Sequence, residues 1–332
     1  MKSLSVVIPL YNKSAFVRST VESFLAQLDD GDEVIVVDDA STDGGIATLR
    51  DLSSDRLLLI TSNTNKGPAT IRNMGADHAR NEFLLFFDAD DLPHCGLVAA
   101  LKAAIVKHPD ESIFAYDICI EARGEVMTFD REDALNNVRA LVLPKDAYAQ
   151  SCLAGRHLCT ASSTCVRASV FRTAGGFQDG LRSSEDPELW ARLSARHGIV
   201  HIPMSLAFYR DIAGSLSYVM RGRPGAVQPY VHTLLALSRT PTDVYHRLAQ
   251  SVIVKNSIFS LANGESSRIE LRRYLDQSRA PLGFMRWATL QLLSYTPSVV
   301  PKLGFAIRDQ LRWLKAVAKS ALNCRAQSRT RP

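Results

Sequence analysis

The six cysteines (Cys95, Cys119, Cys152, Cys159, Cys165 and Cys324) contain no CxxC pair and no zinc-ligand spacing. The chain therefore carries neither a dithiol redox motif nor a structural zinc site, and buried thiols in a reducing compartment are expected. Nowhere do 18 apolar residues run together, which removes the usual bilayer-crossing helix. A charged-then-apolar leader is missing too, because Leu4–Pro9 enters a strand at once. The expectation is a cytoplasmic protein. No internal repeat occurs. An excess of positive charge is also lacking over most of the chain. The first 301 residues hold 31 cations against 33 carboxylates, so no basic groove exists for nucleic acid.

The 332 residues, 46% apolar and 22% charged, suit one large globular domain with a helical extension. The formal charge of +5 comes from the tail, where eight cations from Lys302 onward face only Asp309. Short apolar strands alternate with helices: strands at Leu4–Pro9, Glu33–Val37, Leu57–Ile60, Phe83–Phe87 and Ser112–Tyr116. Between them the periodicity predicts helices over Ala15–Gln27, from Asp43 to Leu52, over Ala69–Ala79 and over Pro93–Lys107. That order argues for a mostly parallel α/β sheet flanked by helices. Further on, a hairpin is expected over Ile118–Phe129, a helix over Pro144–Leu153 and a strand at Ser162–Arg167. A helix follows at Glu185–Arg196 with Leu189, Trp190 and Leu193 inward, then one or two edge strands in Ile199–Tyr209. Beyond Gly225 the pattern is helical: Val227–Leu237, Thr242–Leu261, Ser267–Asp276, Pro281–Leu293 and Pro301–Leu322. We divide the chain into residues 1–220 and a helical region, 221–332.

The second and fourth strands run straight into carboxylates: Asp38-Asp39 after the one, Asp88, Asp90 and Asp91 after the other. In a parallel sheet both groups fall on the edge where ligands bind. Adjacent carboxylates repel one another and raise each other's pKa. A hard divalent cation, Mg²⁺ or Mn²⁺, relieves that repulsion using one or two carboxylates plus ligand phosphates. A helix-capping turn is the plainer alternative for either group. Arg72 is read as a phosphate or base contact or as an ordinary surface cation. Glu185-Asp186 opens a helix, where acidic residues are common because of the dipole.

Several segments, in order, resemble the family 2 glycosyltransferases: Ser5-Val-Val-Ile-Pro-Leu-Tyr-Asn12, Glu33-Val-Ile-Val-Val-Asp-Asp-Ala-Ser-Thr-Asp43, Asn65-x-Gly67 with Arg72-Asn73-x-Gly75, Phe87-Asp-Ala-Asp-Asp91, Gly175-Gly-Phe177, and Glu185-Asp186 with Trp190 and Arg192-Leu193. The resemblance covers roughly residues 3 to 215. It implies the A-type, Rossmann-like fold and inverting transfer from a nucleotide sugar, UDP-linked, to a saccharide or lipid-linked acceptor in cell-surface polysaccharide or lipopolysaccharide synthesis. It implies that Asp39 binds the base beside the Pro9–Tyr11 backbone and that Arg72 assists. Asp88 and Asp90 form the DxD element on ribose and metal, with Asp91 an adjacent ligand and Mn²⁺ or Mg²⁺ as cofactor. Asp186 becomes the base that deprotonates the acceptor hydroxyl, with Glu185 beside it. Many relatives carry a His shortly after a Tyr-Arg, and here Tyr209-Arg210 leads to Ile212 instead.

In the tail, Leu303, Ile307, Leu311, Leu314 and Ala318 share one side of a helix, opposite Arg308, Arg312, Lys315 and Lys319. Residues 302–319 fit either a membrane-surface helix at the inner face of the cell membrane or a helix packed on protein. The rival to an enzyme is a non-catalytic nucleotide-sugar-binding or scaffolding subunit. A sugar nucleotidyltransferase is disfavoured, because Pro9-Leu-Tyr-Asn-Lys13 stands where its Gly-rich loop would be.

Overall fold

The computed structural model describes residues 2–120, 139–210 and 224–262, with positions 272, 275, 279–282 and 288 beyond them. The apolar runs become strands β1 (Leu4–Leu10), β2 (Glu33–Asp38), β3 (Leu57–Thr61) and β4 (Phe83–Phe86). The amphipathic segments become α1 (Val17–Leu25) and α2 (Pro68–His78). They are followed by β5 (Leu92–Pro93), α3 (Leu97–Lys107), β6 (Ile113–Ile120), β7 (Leu141–Leu143), α4 (Ala147–Leu153), β8 (Thr164–Arg167) and α5 (Ala168–Thr173). The last elements are α6 (Glu185–Ser194), β9 (Ile199–Tyr209), α7 (Pro224–Leu237), α8 (Val244–Ala262) and the single turn α9 (Arg279–Leu282). One nine-stranded sheet holds the strands in the order β3-β2-β1-β4-β8-β6-β9-β5, with β7 paired to β9.

The first four strands are mutually parallel, as are β6 and β9, while β8, β5 and β7 run antiparallel to their neighbours. β1 sits between β2 and β4, so both carboxylate-bearing strands end on the same rim. β4 is buried on both faces, as its unbroken apolar run requires. Phe87 meets Phe24 of α1 edge-on at 4.9 Å, while Phe86 faces the other way onto Phe177, also at 4.9 Å, and Phe171. Gly75 lets α2 lie close on the sheet, since a Cβ there would come within 2.4 Å of a Val7 methyl.

Three expectations are corrected. The helix expected from Asp43 to Leu52 is only a 3₁₀ turn, Gly45–Leu49. The Asp43 carboxylate accepts N–H bonds from Gly45 and Ser14 and ties that segment to the loop after β1 instead. The helix expected from Pro93 starts at Leu97, because Leu92–Pro93 joins β9 and the His94 N–H bonds Leu206 O at 3.0 Å. Ile199–Tyr209 is one long internal strand, flanked by β6 on one side and by β5 and β7 on the other. Its pairing with β6 shifts register around Asp117, and Ile118–Ile120 forms the end of β6. The rest of the segment expected as a hairpin, up to Phe129, lies outside the described residues. So does nearly all of the chain beyond Ala262, including the tail helix and residues 302–319.

Met1–Val219 and Gln228–Ala249 form one compact unit, and Met220–Val227 with Gln250–Pro332 form another. Within the first, Thr233 of α7 donates to Glu188 at 2.8 Å and Tyr245 of α8 donates to Asp146 at 2.6 Å. Among the described residues, no helix is long and apolar enough to cross a membrane.

Candidate active site

The rim where β1, β2 and β4 end is built from four loops and the first turn of α6. Its centre is Arg72, which projects from α2 and is only 4% exposed. The guanidinium bonds Asp88 at 2.6 Å and Glu185 at 2.7 Å, and it lies over the Phe177 ring. These carboxylates keep it charged despite burial and raise its pKa further above the ordinary arginine value, Asp88 contributing more than Glu185. Arg72 thus joins two residues 97 positions apart in sequence, one from the DxD segment and one from the start of α6.

The motif residues around Arg72 hold this arrangement in place. Asn73 accepts the Phe177 N–H at 2.9 Å and donates to the Phe177 carbonyl at 2.8 Å. That pins the Gly175-Gly176 turn, whose two residues are left-handed at φ +81° and +66°. Arg192 donates to the Ala174 and Gly176 carbonyls and to buried Glu188, fastening the same turn to α6.

Asp186 is half-buried and follows Glu185 at the N-terminus of α6. Burial, then repulsion from Glu185, pushes its carboxyl up to about 7, against the pull of Arg72 and an N–H bond from Ala161. A carboxylate poised there titrates near neutrality, as a general base should. Asp91 is buried, and burial followed by the nearby Asp88 drives its carboxyl well above the usual range. Asp90 is ion-paired with Lys13.

Asp39 stands apart from this group. Both of its carboxylate oxygens accept backbone N–H groups, from Lys66 at 2.6 Å and Gly67 at 2.9 Å, so it latches the loop that opens α2 onto the end of β2. That loop reaches the segment before α6, where Arg182 donates to Asn65 at 2.9 Å. Pro9 lies in β1, and Tyr11 stands at its end with 48% of its surface exposed. Neither makes a side-chain bond to the acidic cluster among the described contacts.

Sequence reasoning passed over three contributors. The 3₁₀ turn Ala161–Ser163 is the hub of the site: its Ser162 hydroxyl accepts the Asp88 N–H at 3.0 Å and also bonds Asp91, while Ala161 N–H serves Asp186. Lys13 pairs with Asp90, and Arg210 donates its N–H to Asp91 and its guanidinium to the Asp90 carbonyl, both at 3.4 Å. Lys13 and Arg210 had a signal, each following a strand end; a Ser in a small-residue stretch had none.

The fold agrees with the comparisons. Residues 5–172 match the profile of glycosyl transferase family 2. The chain belongs to that family. Among curated relatives it is 26% identical over 190 residues to an uncharacterized glycosyltransferase of Haemophilus influenzae, spanning 57% of this chain and 61% of that protein. Over 91 residues, 27% of this chain and 36% of the other, it is 34% identical to the Escherichia coli UDP-Glc:alpha-D-GlcNAc-diphosphoundecaprenol beta-1,3-glucosyltransferase WfaP. The chain thus spans less than two thirds of these relatives' lengths. Its fold is like that of Staphylococcus aureus TarS residues 1–349, solved in complex with UDP-GlcNAc: TM-score 0.65, 19% identity, 92% of this chain and 89% of that one. It is also like the mannosyltransferase PcManGT of Pyrobaculum calidifontis, solved with GDP-Man and Mn²⁺: TM-score 0.53, 17% identity, 90% and 83% covered.

The acidic residues suit a divalent metal by their chemistry. Asp88, Asp90 and Asp91 are hard oxygen donors close together at one strand end; the Asp91 carboxyl is raised first by burial and then by repulsion from Asp88 and Asp90, and a cation would relieve the second of these. Among the described residues no three ligating side chains are already gathered on one point.

Proposed function

We propose that this protein is an inverting glycosyltransferase that moves a sugar from a UDP-sugar to a hydroxyl of a saccharide or lipid-linked acceptor, in cell-surface polysaccharide or lipopolysaccharide synthesis. The observation that carries the reading is the Arg72 bridge, which sets the DxD carboxylate Asp88 beside the Glu185-Asp186 pair on one rim. The nucleotide in the TarS complex and the diphosphoundecaprenol-linked substrate in the name of the E. coli relative support the choice of donor and acceptor class.

In this mechanism the loop between β3 and α2, latched by Asp39, and the end of β1 at Pro9–Tyr11 receive the base. Asp88 faces the ribose, with Arg72 fixing its direction. Asp90 and Asp91 would hold Mn²⁺ or Mg²⁺, which would supply positive charge to offset that of a departing diphosphate. Asp186 takes the proton from the acceptor oxygen, which attacks the anomeric carbon on the face opposite the diphosphate and inverts it. Glu185 is held beside it in its ion pair with Arg72.

The test is a screen of nucleotide sugars for Mn²⁺-dependent thermal stabilisation and hydrolysis, followed by Asp186→Asn. Donor stabilisation in both proteins with turnover only in the unaltered one supports the reading. Loss of donor binding in Asp186→Asn reassigns that residue to structure, and no response to any nucleotide sugar refutes the whole.

A further inference from the structure

The three DxD-segment carboxylates have different partners. Asp88 is held by Arg72, whose side chain is 5% exposed and locked between two carboxylates and an aromatic ring. Asp91 is met by the Ser162 hydroxyl and the Arg210 N–H. Asp90 is met by Lys13, a compact ammonium on a flexible stem, with side-chain exposures of 22% and 17% for the pair. Of these partners, only Lys13 combines a full charge with freedom to swing away.

Both ends of this ion pair are built into the same corner. The Lys13 carbonyl starts α1 by accepting the N–H groups of Phe16 and Val17, each at 3.0 Å. On either side the backbone is tied to the loop after β2. Asn12, left-handed at φ +51°, donates its N–H to Ser41, and Ser14 donates to Asp43. Across the gap, Thr20 of α1 donates to the carbonyls of Ala89 at 3.1 Å and Asp91 at 2.7 Å, bracketing Asp90. The corner fixes where the ammonium can reach, and it reaches the carboxylate that the proposed donor site assigns to the metal.

We propose that Lys13 is an exchangeable counter-ion. It competes with a divalent cation for Asp90 and, once displaced, turns to neutralise the diphosphate of the nucleotide ligand. This rests on the donor site proposed above. Two cations cannot both take the inward lone pairs of one carboxylate, so binding of one weakens the other. The ammonium cannot stay without a partner in a partly buried corner, and the incoming diphosphate is the nearest anion the donor brings.

The experiment uses the full chain, Lys13→Met and Lys13→Arg, with Mn²⁺ binding read by electron paramagnetic resonance and UDP or uridine binding by calorimetry. In Lys13→Met, Mn²⁺ alone should bind about fivefold more tightly, the scale of a partly exposed ion pair removed. UDP in saturating Mn²⁺ should bind about tenfold more weakly, while uridine, which has no phosphate, is unchanged. Lys13→Arg should restore UDP binding. Opposite shifts for metal and for UDP are a signature that a merely structural residue does not give. Mn²⁺ affinity unchanged or weakened, or UDP affinity unchanged, overturns the inference while leaving the donor site standing. Failure of the unaltered chain to bind UDP with Mn²⁺ overturns both. A Met variant that lost uridine binding through misfolding would pass the test to Lys13→Gln, judged by the same pair of shifts.

Discussion

Replacing Arg72 by Met tests the centre of the site most directly. The guanidinium is buried and neutralises two carboxylates of unequal solvation: the Asp88 side chain is 33% exposed, the Glu185 side chain only 10%. Water can take over for Asp88 but hardly for Glu185, so the cost falls on the second pair. Breaking a buried pair by removing one partner costs about 3–5 kcal/mol. That is a large share of the roughly 5–15 kcal/mol by which domains are stable. If the loss arises from stranding Glu185, then Glu185→Gln in the same chain should relieve it, and the double variant should lie about 2 kcal/mol above the sum of the single losses. Arg72→Lys should fall between, because one ammonium cannot fork to both carboxylates. Urea unfolding read by fluorescence gives the midpoints, and an unchanged slope ensures that stability itself is compared. An Arg72→Met loss below about 1 kcal/mol, or strict additivity with Glu185→Gln, would refute the account.

Three more outcomes are expected. Asp186→Asn should lower kcat by about 10²–10⁴-fold, the usual worth of a general base, with UDP affinity in Mn²⁺ held; steady-state kinetics beside calorimetry would show it. With the Asp186 carboxyl raised to about 7, kcat should climb through pH 7 as the base ionises. The stability this group contributes runs the other way. It is full below the unfolded-chain value near 4 and is lost as pH rises through about 7, so urea midpoints of the unaltered protein should fall relative to Asp186→Asn over that window. A flat difference would remove the burial argument. Gly75→Ala should destabilise by about 1–3 kcal/mol through overpacking against Val7, outweighing the roughly 1 kcal/mol that alanine offers a helix. A stabilised variant would mean that α2 does not press on β1.

Much of the core was legible along the chain. The apolar runs of β1, β2 and β4 and the three-and-four spacing of α1 are local patterns, and each bears on one element at a time. Their alternation carried the parallel half of the sheet, and with it the shared rim for Asp38-Asp39 and Asp88 through Asp91. The antiparallel insertion of β8 and the internal place of β9 left no such trace. An apolar strand reads alike whichever way its neighbour runs, and register is fixed by contacts made elsewhere.

The residue types needed at the site were also readable, since a cluster of carboxylates at strand ends implies positive charge nearby. Which cation meets which carboxylate was not. Arg72 was read as a ligand contact or an ordinary surface cation, and the fold turns it inward between Asp88 and Glu185. Asp39 was read for a base and is found holding the Lys66-Gly67 backbone. Ser162, Lys13 and Arg210 enter only because β8, the turn after β1 and the end of β9 meet at the rim. An ion pair depends on a separation of a few ångströms between groups up to 113 positions apart, and no local pattern encodes such a distance. Composition and periodicity settled most of the apolar core and most of the elements, because those follow from local hydrophobicity. The partnering of charges was left to the packed chain, because electrostatic energy depends on final distances and on how much water the fold removes.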